Sequence, residues 1–317
     1  MKPPIRLLAS AALLLLVAAA GCSLFRGSIS PELRSLGFRA AELRGEQCIL
    51  TAANGTTLAI TPGSNRALFN GTVIHLPEAA LRNEDGVYTL SPLSLQRTVE
   101  PLLRRRTDNA GPVKRVLLDP GHGGAELGAV GKKYQEKAIN LALASAVKLE
   151  LEKRGYTVLM TRTKDQAVSL DRRGRLTGEV AADLFLSIHH NASSSNPNAT
   201  GIETYALTPG GAASTSGGAL GGTLAANRFD AASINLAERI QTRLVRATGG
   251  VDRGTKYARF RVLTLAECPA VLIEAGFIST PAEEEAIASA ARQRKAAAAI
   301  ADGVAVYDAW VRRNALR

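Results

Sequence analysis

Four short segments carry the residues best suited to chemistry: Leu117–Gly124 (LLDPGHGG), the isolated Glu136, Ser187–Ala192 (SIHHNA) and Val271–Gly276 (VLIEAG). In three of them an apolar run ends on His or Glu, and Glu136 opens an amphipathic run. In an α/β sheet the carboxyl ends of the strands are where ligand sites assemble. Two imidazoles and two carboxylates delivered there suit a hydrolytic zinc ion, with three ligands, an open position for water and a separate general base. His189 and His190 are adjacent in a predicted strand and point to opposite faces, so only one of them is easily a ligand. Glu274 follows an all-apolar strand, where an unpaired structural carboxylate is costly, so a chemical role is favoured. The glycines beside His122 allow close backbone approach to a metal and substrate, and no P-loop lysine follows to make the loop a phosphate cradle.

The elements that position these residues alternate. The pattern predicts strands at 113–118, 156–161, 184–188, 202–207 and 271–273, and helices at 136–154, 170–181, 231–247 and, as one or two, 281–310. Gly155 is a helix stop, and residues 210–222, rich in Gly, Ala and Ser, read as a flexible surface loop. This is the signature of an α/β domain with a mixed, mostly parallel sheet flanked by helices. Before it, residues 27–106 read as a small β-rich unit with hairpin signals at Asn54-Gly55 and Asn70-Gly71. Its last predicted element is a short helix over 93–103. Residues 107–112 form a linker, and the adjacent Arg104-Arg105-Arg106 reads as a solvated run.

Length and composition set bounds. The 317 residues, 46% of them hydrophobic, suit a globular chain of two modest units. Only 4% are aromatic, which argues against stacked nucleic-acid bases as partners. A formal charge of +11 favours anionic partners such as a wall polymer or a phospholipid surface. Lys2 and Arg6 followed by an apolar run to Ala20 form a secretory leader too short to span a bilayer comfortably. Ala19-Ala20-Gly21-Cys22 resembles a bacterial lipobox, which implies removal of residues 1–21 and lipidation of Cys22. Ser23 behind it resembles lipoproteins sorted to the outer membrane, facing the periplasm. An ordinary signal peptide is the competing reading. Cys48 and Cys268 would then remain, and the count alone does not pair them.

The stretch from 113 to 312 resembles the zinc-dependent N-acetylmuramoyl-L-alanine amidases of the amidase-3 family. The matching residues are DPGHGG (119–124), Glu136-Lys137, Thr161-Arg162, SIHHNA, GIETY (201–205), RGTKYARFRVL (253–263) and the PAVLIEAGFIS segment (269–279). The resemblance implies a phosphorylase/hydrolase-like fold and one zinc ion held by His122, Glu136 and His189. Glu274 would be the catalytic carboxylate in hydrolysis of the amide between N-acetylmuramic acid and the L-alanine of peptidoglycan stem peptides. Asn191 and Arg259 are candidate substrate contacts. Residues 206–232 contain no Glu and only Asp230 as an acid, so an inhibitory helix with a blocking carboxylate, present in some relatives, is not expected. The segment 68–103 resembles the copper amine oxidase N-terminal-like module, implying an accessory unit with envelope-protein or wall partners. Competing readings are another zinc hydrolase of the wall (a deacetylase or carboxypeptidase) and a catalytically silent wall-binding lipoprotein.

Overall fold

Alternation of side chains along a strand decides which face each residue serves, and here it sorts the chemistry from the core. The computed structural model describes residues 27–103 and 109–315. The leader with Cys22, the run Arg104–Arg106 and the start of the linker lie outside the described residues. The N-terminal part holds β1 (Ser28–Ile29), α1 (Pro31–Ser35) and an antiparallel meander of β2 (Phe38–Arg44), β3 (Gln47–Ala52), β4 (Thr57–Ile60), β5 (Arg66–Phe69) and β6 (Thr72–His75). Next come β7 (Leu81–Arg82) and β8 (Val87–Thr89), which join β1 in a small sheet of their own. The predicted helix near 93–103 is α2 (Pro92–Ser94), a π-helical turn over Leu95–Val99, and α3 (Glu100–Leu103). Both Asn-Gly signals sit in hairpins: Asn70 (φ 49°) and Gly71 (φ 82°) make the tight turn that pairs Phe69 with Thr72.

From residue 115 strands and helices alternate: β9 (Arg115–Pro120), α4 (Glu136–Lys153), β10 (Thr157–Met160), α5 (Leu170–Glu179), β11 (Leu184–Asn191), β12 (Ile202–Leu207), α6 (Asp230–Thr248), β13 (Asp252–Ala258), α7 (Arg261–Thr264), β14 (Ala270–Phe277), α8 (Pro281–Ala288) and α9 (Ala290–Ala315). The order β10-β9-β11-β14-β12-β13 is parallel throughout except for the antiparallel β12–β14 pair, a mixed, mostly parallel sheet. The sheet does not end at β13. Thr255 pairs with Ile74 of β6, so the meander continues it to eleven strands. Ala206, Ile234 and Tyr257 are buried in the same apolar cluster as Leu50, Leu58 and Val99 of the N-terminal part.

On one face of the central strands, Val116, Leu118, Leu186, Ile188, Val271 and Ile273 pack under α4, α6 and α9. On the other, Leu117, Phe185 and Leu272 pack against Val262, Leu263 and Leu176 of α7 and α5. His189 shares its parity with Phe185, and Glu274 with Leu272, so both belong to the α5/α7 side. Among the described residues no helix is long and apolar enough to cross a membrane.

Candidate metal centre and catalytic carboxylate

The site grows from three neighbouring strands. β11 lies between β9 and β14, and the register sets His189 directly beside Glu274. Both strands run further than their apolar residues indicate, so His189 and Glu274 are held in ladders rather than in the loops beyond them. The loop after β9 brings His122 in at φ 62°, a left-handed conformation uncommon for residues other than Gly. Glu136 is the first residue of α4. Two glycines make room: a Cβ at Gly121 would fall 2.1 Å from the His189 ring, and one at Gly128 would fall 2.6 Å from Glu136 Oε2.

The ligating atoms of His122, Glu136 and His189 lie within 4.8 Å of one another. His122 Nε2 is 3.1 Å from Glu136 Oε2, and His189 Nδ1 is 2.9 Å from Oε1. The Glu136 carboxylate also accepts the Ala129 N–H (2.8 Å), the Asn140 amide (3.0 Å) and the His190 N–H (3.2 Å). Burial alone would raise its pKa, but the hydrogen bonds from His122 and His189 outweigh this and hold it well below the usual carboxylate range. Burial pulls His122 down, while Glu136 and Glu126 pull it up and prevail. Two imidazoles turned on one anchored carboxylate, in a pocket the glycines keep open, fit a divalent cation of the zinc type.

Glu274 behaves differently. Its Oε2 is shielded from solvent and has no hydrogen-bond partner. Burial, then the charges of Glu136 and Glu203, push its carboxyl well above the usual range, with Lys256 opposing. Glu203 is its register partner on β12 and is neutralised by Lys256 Nζ (2.7 Å) and Arg253 Nε (2.6 Å). A carboxyl so placed is poised to hold a proton and pass it on.

A cavity of about 200 Å³ covers the site, with His122, His189, Glu274, Leu272, Phe260 and Arg261 in its wall. No residue of 206–232 lines it. The loop within that span wraps Arg259, whose guanidinium donates to the carbonyls of Pro209, Ala212 and Gly222. Arg259 therefore lies outside the cavity wall, and Asn191 donates instead to Glu203 (3.3 Å). His190 is buried on the opposite face of β11, where its Nδ1–H donates to Asn140 Oδ1 (2.8 Å).

Three supporting residues escaped sequence reasoning. Glu126 accepts from His122 Nδ1 (2.9 Å), Asn140 bridges His190 to Glu136, and Arg173 reaches under the loop from α5. A signal for the first existed: metal-binding histidines commonly give their second nitrogen to a carboxylate, and Glu126 is the acid next along the loop. Arg173 donates to Asp119, Pro120 O and His122 O, while Arg162 donates to Pro120 O and Gly121 O.

A mixed α/β sheet carrying a two-histidine, one-carboxylate cluster able to hold a metal ion, beside a separate carboxylate with one shielded oxygen, has the form of a hydrolase site. Residues 116–306 match the family model described as N-acetylmuramoyl-L-alanine amidase. The chain is 32% identical over 254 residues to the amidase LytC of Bacillus subtilis, covering 80% of this chain but 47% of that protein. It is also 32% identical to the amidase AmiA of Salmonella typhimurium, over 65% of this chain and 80% of that one. An amidase structure from Clostridium difficile 630 superposes with a TM-score of 0.53 at 33% identity, covering 62% of this chain and 97% of that one. The chain belongs to the N-acetylmuramoyl-L-alanine amidase family, and it is an enzyme of peptidoglycan degradation.

Proposed function

We propose that His122, Glu136 and His189 hold a single zinc ion and that Glu274 carries the proton during cleavage of the amide between N-acetylmuramic acid and L-alanine. The observation that carries this reading is the orphaned Glu274 Oε2 in the wall of the same cavity as His122 and His189. A zinc ion bound there would polarise the scissile carbonyl and lower the pKa of water. Glu274 accepts a proton from the attacking water and delivers it to the departing alanine nitrogen. Glu126 fixes the His122 tautomer, and Glu136 keeps both imidazoles turned inward. Phe260 and Leu272 supply apolar wall that limits stray water.

Digestion of muropeptides followed by mass spectrometry tests the reading. Intact stem peptides and peptide-free glycan are expected, lost with chelator and restored by zinc. Deacetylated sugars would instead indicate a deacetylase, and peptides shortened by one residue a carboxypeptidase.

We assign residues 113–312 to catalysis and 27–106 to an accessory role toward the wall or envelope proteins. The family match, confined to 116–306, supports that division. For location we infer an exported lipoprotein of the outer membrane facing the periplasm, supported by the leader and Cys22. Incorporation of labelled palmitate, abolished by Cys22→Ser, is the expected result.

A further inference from the structure

A second concave site shares no lining residue with the metal centre. It is a cleft of about 410 Å³ between the hairpin tips of the N-terminal meander and helices α6 and α9. Arg239, Arg243 and Arg246 come from α6, spaced four and then three residues apart, so they stack on one helix face. Arg313 joins them from the end of α9. Across the cleft stand Asn54 and Asn70. Their side-chain oxygens are already engaged, accepting the N–H groups of Thr56 and Thr57 at 3.0 Å. Their amide Nδ2 groups remain as donors with no acceptor among the described residues. Both walls therefore offer donors.

The acceptor side is nearly empty. Among the described residues Glu238 is the one acid lining the cleft, and it is engaged by Arg239 (3.8 Å) and by the Thr242 hydroxyl (3.0 Å). Arg243, Arg246 and Arg313 have no carboxylate partner among the described residues. Arg239 is tucked against the Trp310 ring, 4.9 Å from its centroid, and tied to Asn235. Burial, reinforced by the charges of Arg243 and Arg313 against Glu238, pulls it below the ordinary arginine range. Like charges packed at this spacing weaken a helix unless something compensates them.

We propose that this cleft binds a phosphate-bearing chain. The guanidinium fork matches phosphate oxygens in a bidentate fashion. From Arg239 to Arg246 the helix rises about 10 Å, so the arrangement suits charge repeated along a ligand rather than one isolated anion. That spacing favours a polymer with repeated phosphates over lipid headgroups, which the vesicle arm below separates from it.

Calorimetric titration of the full-length protein with tripolyphosphate tests the site, with cosedimentation of the Cys22→Ser protein, free of any lipid anchor, on phosphatidylglycerol and phosphatidylcholine vesicles as the second arm. Saturable binding that weakens with added salt is expected. The Arg243→Ala/Arg246→Ala pair should lose at least tenfold in affinity, and the corresponding Lys pair, which keeps the charge but not the fork, should fall between it and the wild type. His122→Ala should bind as the wild type does, and the alanine pair should hydrolyse soluble muropeptides normally. Loss of phosphatidylglycerol binding in the pair, relative to wild type and with no tripolyphosphate signal, would place the phosphate on lipid and overturn the polymer reading. Should the alanine pair fail to fold, Arg246→Glu at its exposed position gives the same readout. No binding in either arm, or binding that these substitutions leave unchanged, overturns the proposal.

Discussion

Glu274 and Glu126 do different work on the same centre, and substitution separates them. Glu274→Gln keeps the size of the side chain and removes its capacity to take a proton. Zinc content should stay at the wild-type level while stem-peptide release falls by roughly 10²–10⁴-fold. Parallel metal analysis and turnover assays check this, and loss of zinc from the variant would count against the assigned role. Glu126 acts through His122, 2.9 Å away. Glu126→Gln should weaken zinc binding by about 10–100-fold, measured by competition with a chromogenic chelator. At this scale the four principal residues were legible because three close an apolar run with a group that is costly to bury idle, and Glu136 opens the amphipathic run between them. Asn140 was not, because a polar residue within an amphipathic helix looks like any solvated position, and its partner His190 is fifty residues away.

The loop after β9 shows how elements carry the site. Its conformation is imposed from below by two buried arginines whose donors end on the carbonyls of Pro120, Gly121 and His122. Arg173 also forms an ion pair with Asp119 at 2.6 Å, with both side chains out of water. Breaking one partner of such a pair leaves a buried charge, so Arg173→Met should cost about 3–5 kcal/mol. Urea denaturation should show this as a lower midpoint with an unchanged slope. Asp119→Asn with Arg173→Met should cost less than the sum of the two single changes. The long helices and five of the six strands from β9 to β14 were legible from periodicity to within a few residues, whereas β13 was not read as a strand. The bracing was not: α5 contributes its arginine because of where the helix lies against the sheet, which no local pattern encodes.

At the scale of the molecule, the seam between the meander and the catalytic sheet has its own polar chemistry. Tyr257 meets the Thr98 hydroxyl at 2.7 Å, Asn235 donates to Pro101 O, and Asp252 accepts the Val73 N–H. Asp230 Oδ2 lies 4.0 Å from Arg97 and has no hydrogen-bond partner among the described residues. Burial pushes its carboxyl up to about 6, against Asn227, Arg97 and Arg259. The folded protein therefore binds this proton more tightly than the unfolded chain, and the group's contribution to stability falls as pH rises from about 4 to 6. Asp230→Asn should flatten that slope, as read from urea unfolding across this range. The hairpins on one side of the seam and the alternating elements on the other were both visible in the sequence. Their junction was not, because the Thr255–Ile74 pairing joins two edges far apart in the chain with no local mark on either. His189, Glu274 and Glu203 align across three adjacent strands. Because neighbouring positions on a strand face opposite ways, a slip of one residue in β14 would turn Glu274 away from the cavity altogether. The enzyme therefore has no half-assembled working state: amide exchange in β11 and β14 should be as slow as global unfolding permits, and heat should extinguish activity in step with their opening, whatever fraying occurs at the outer strand β2.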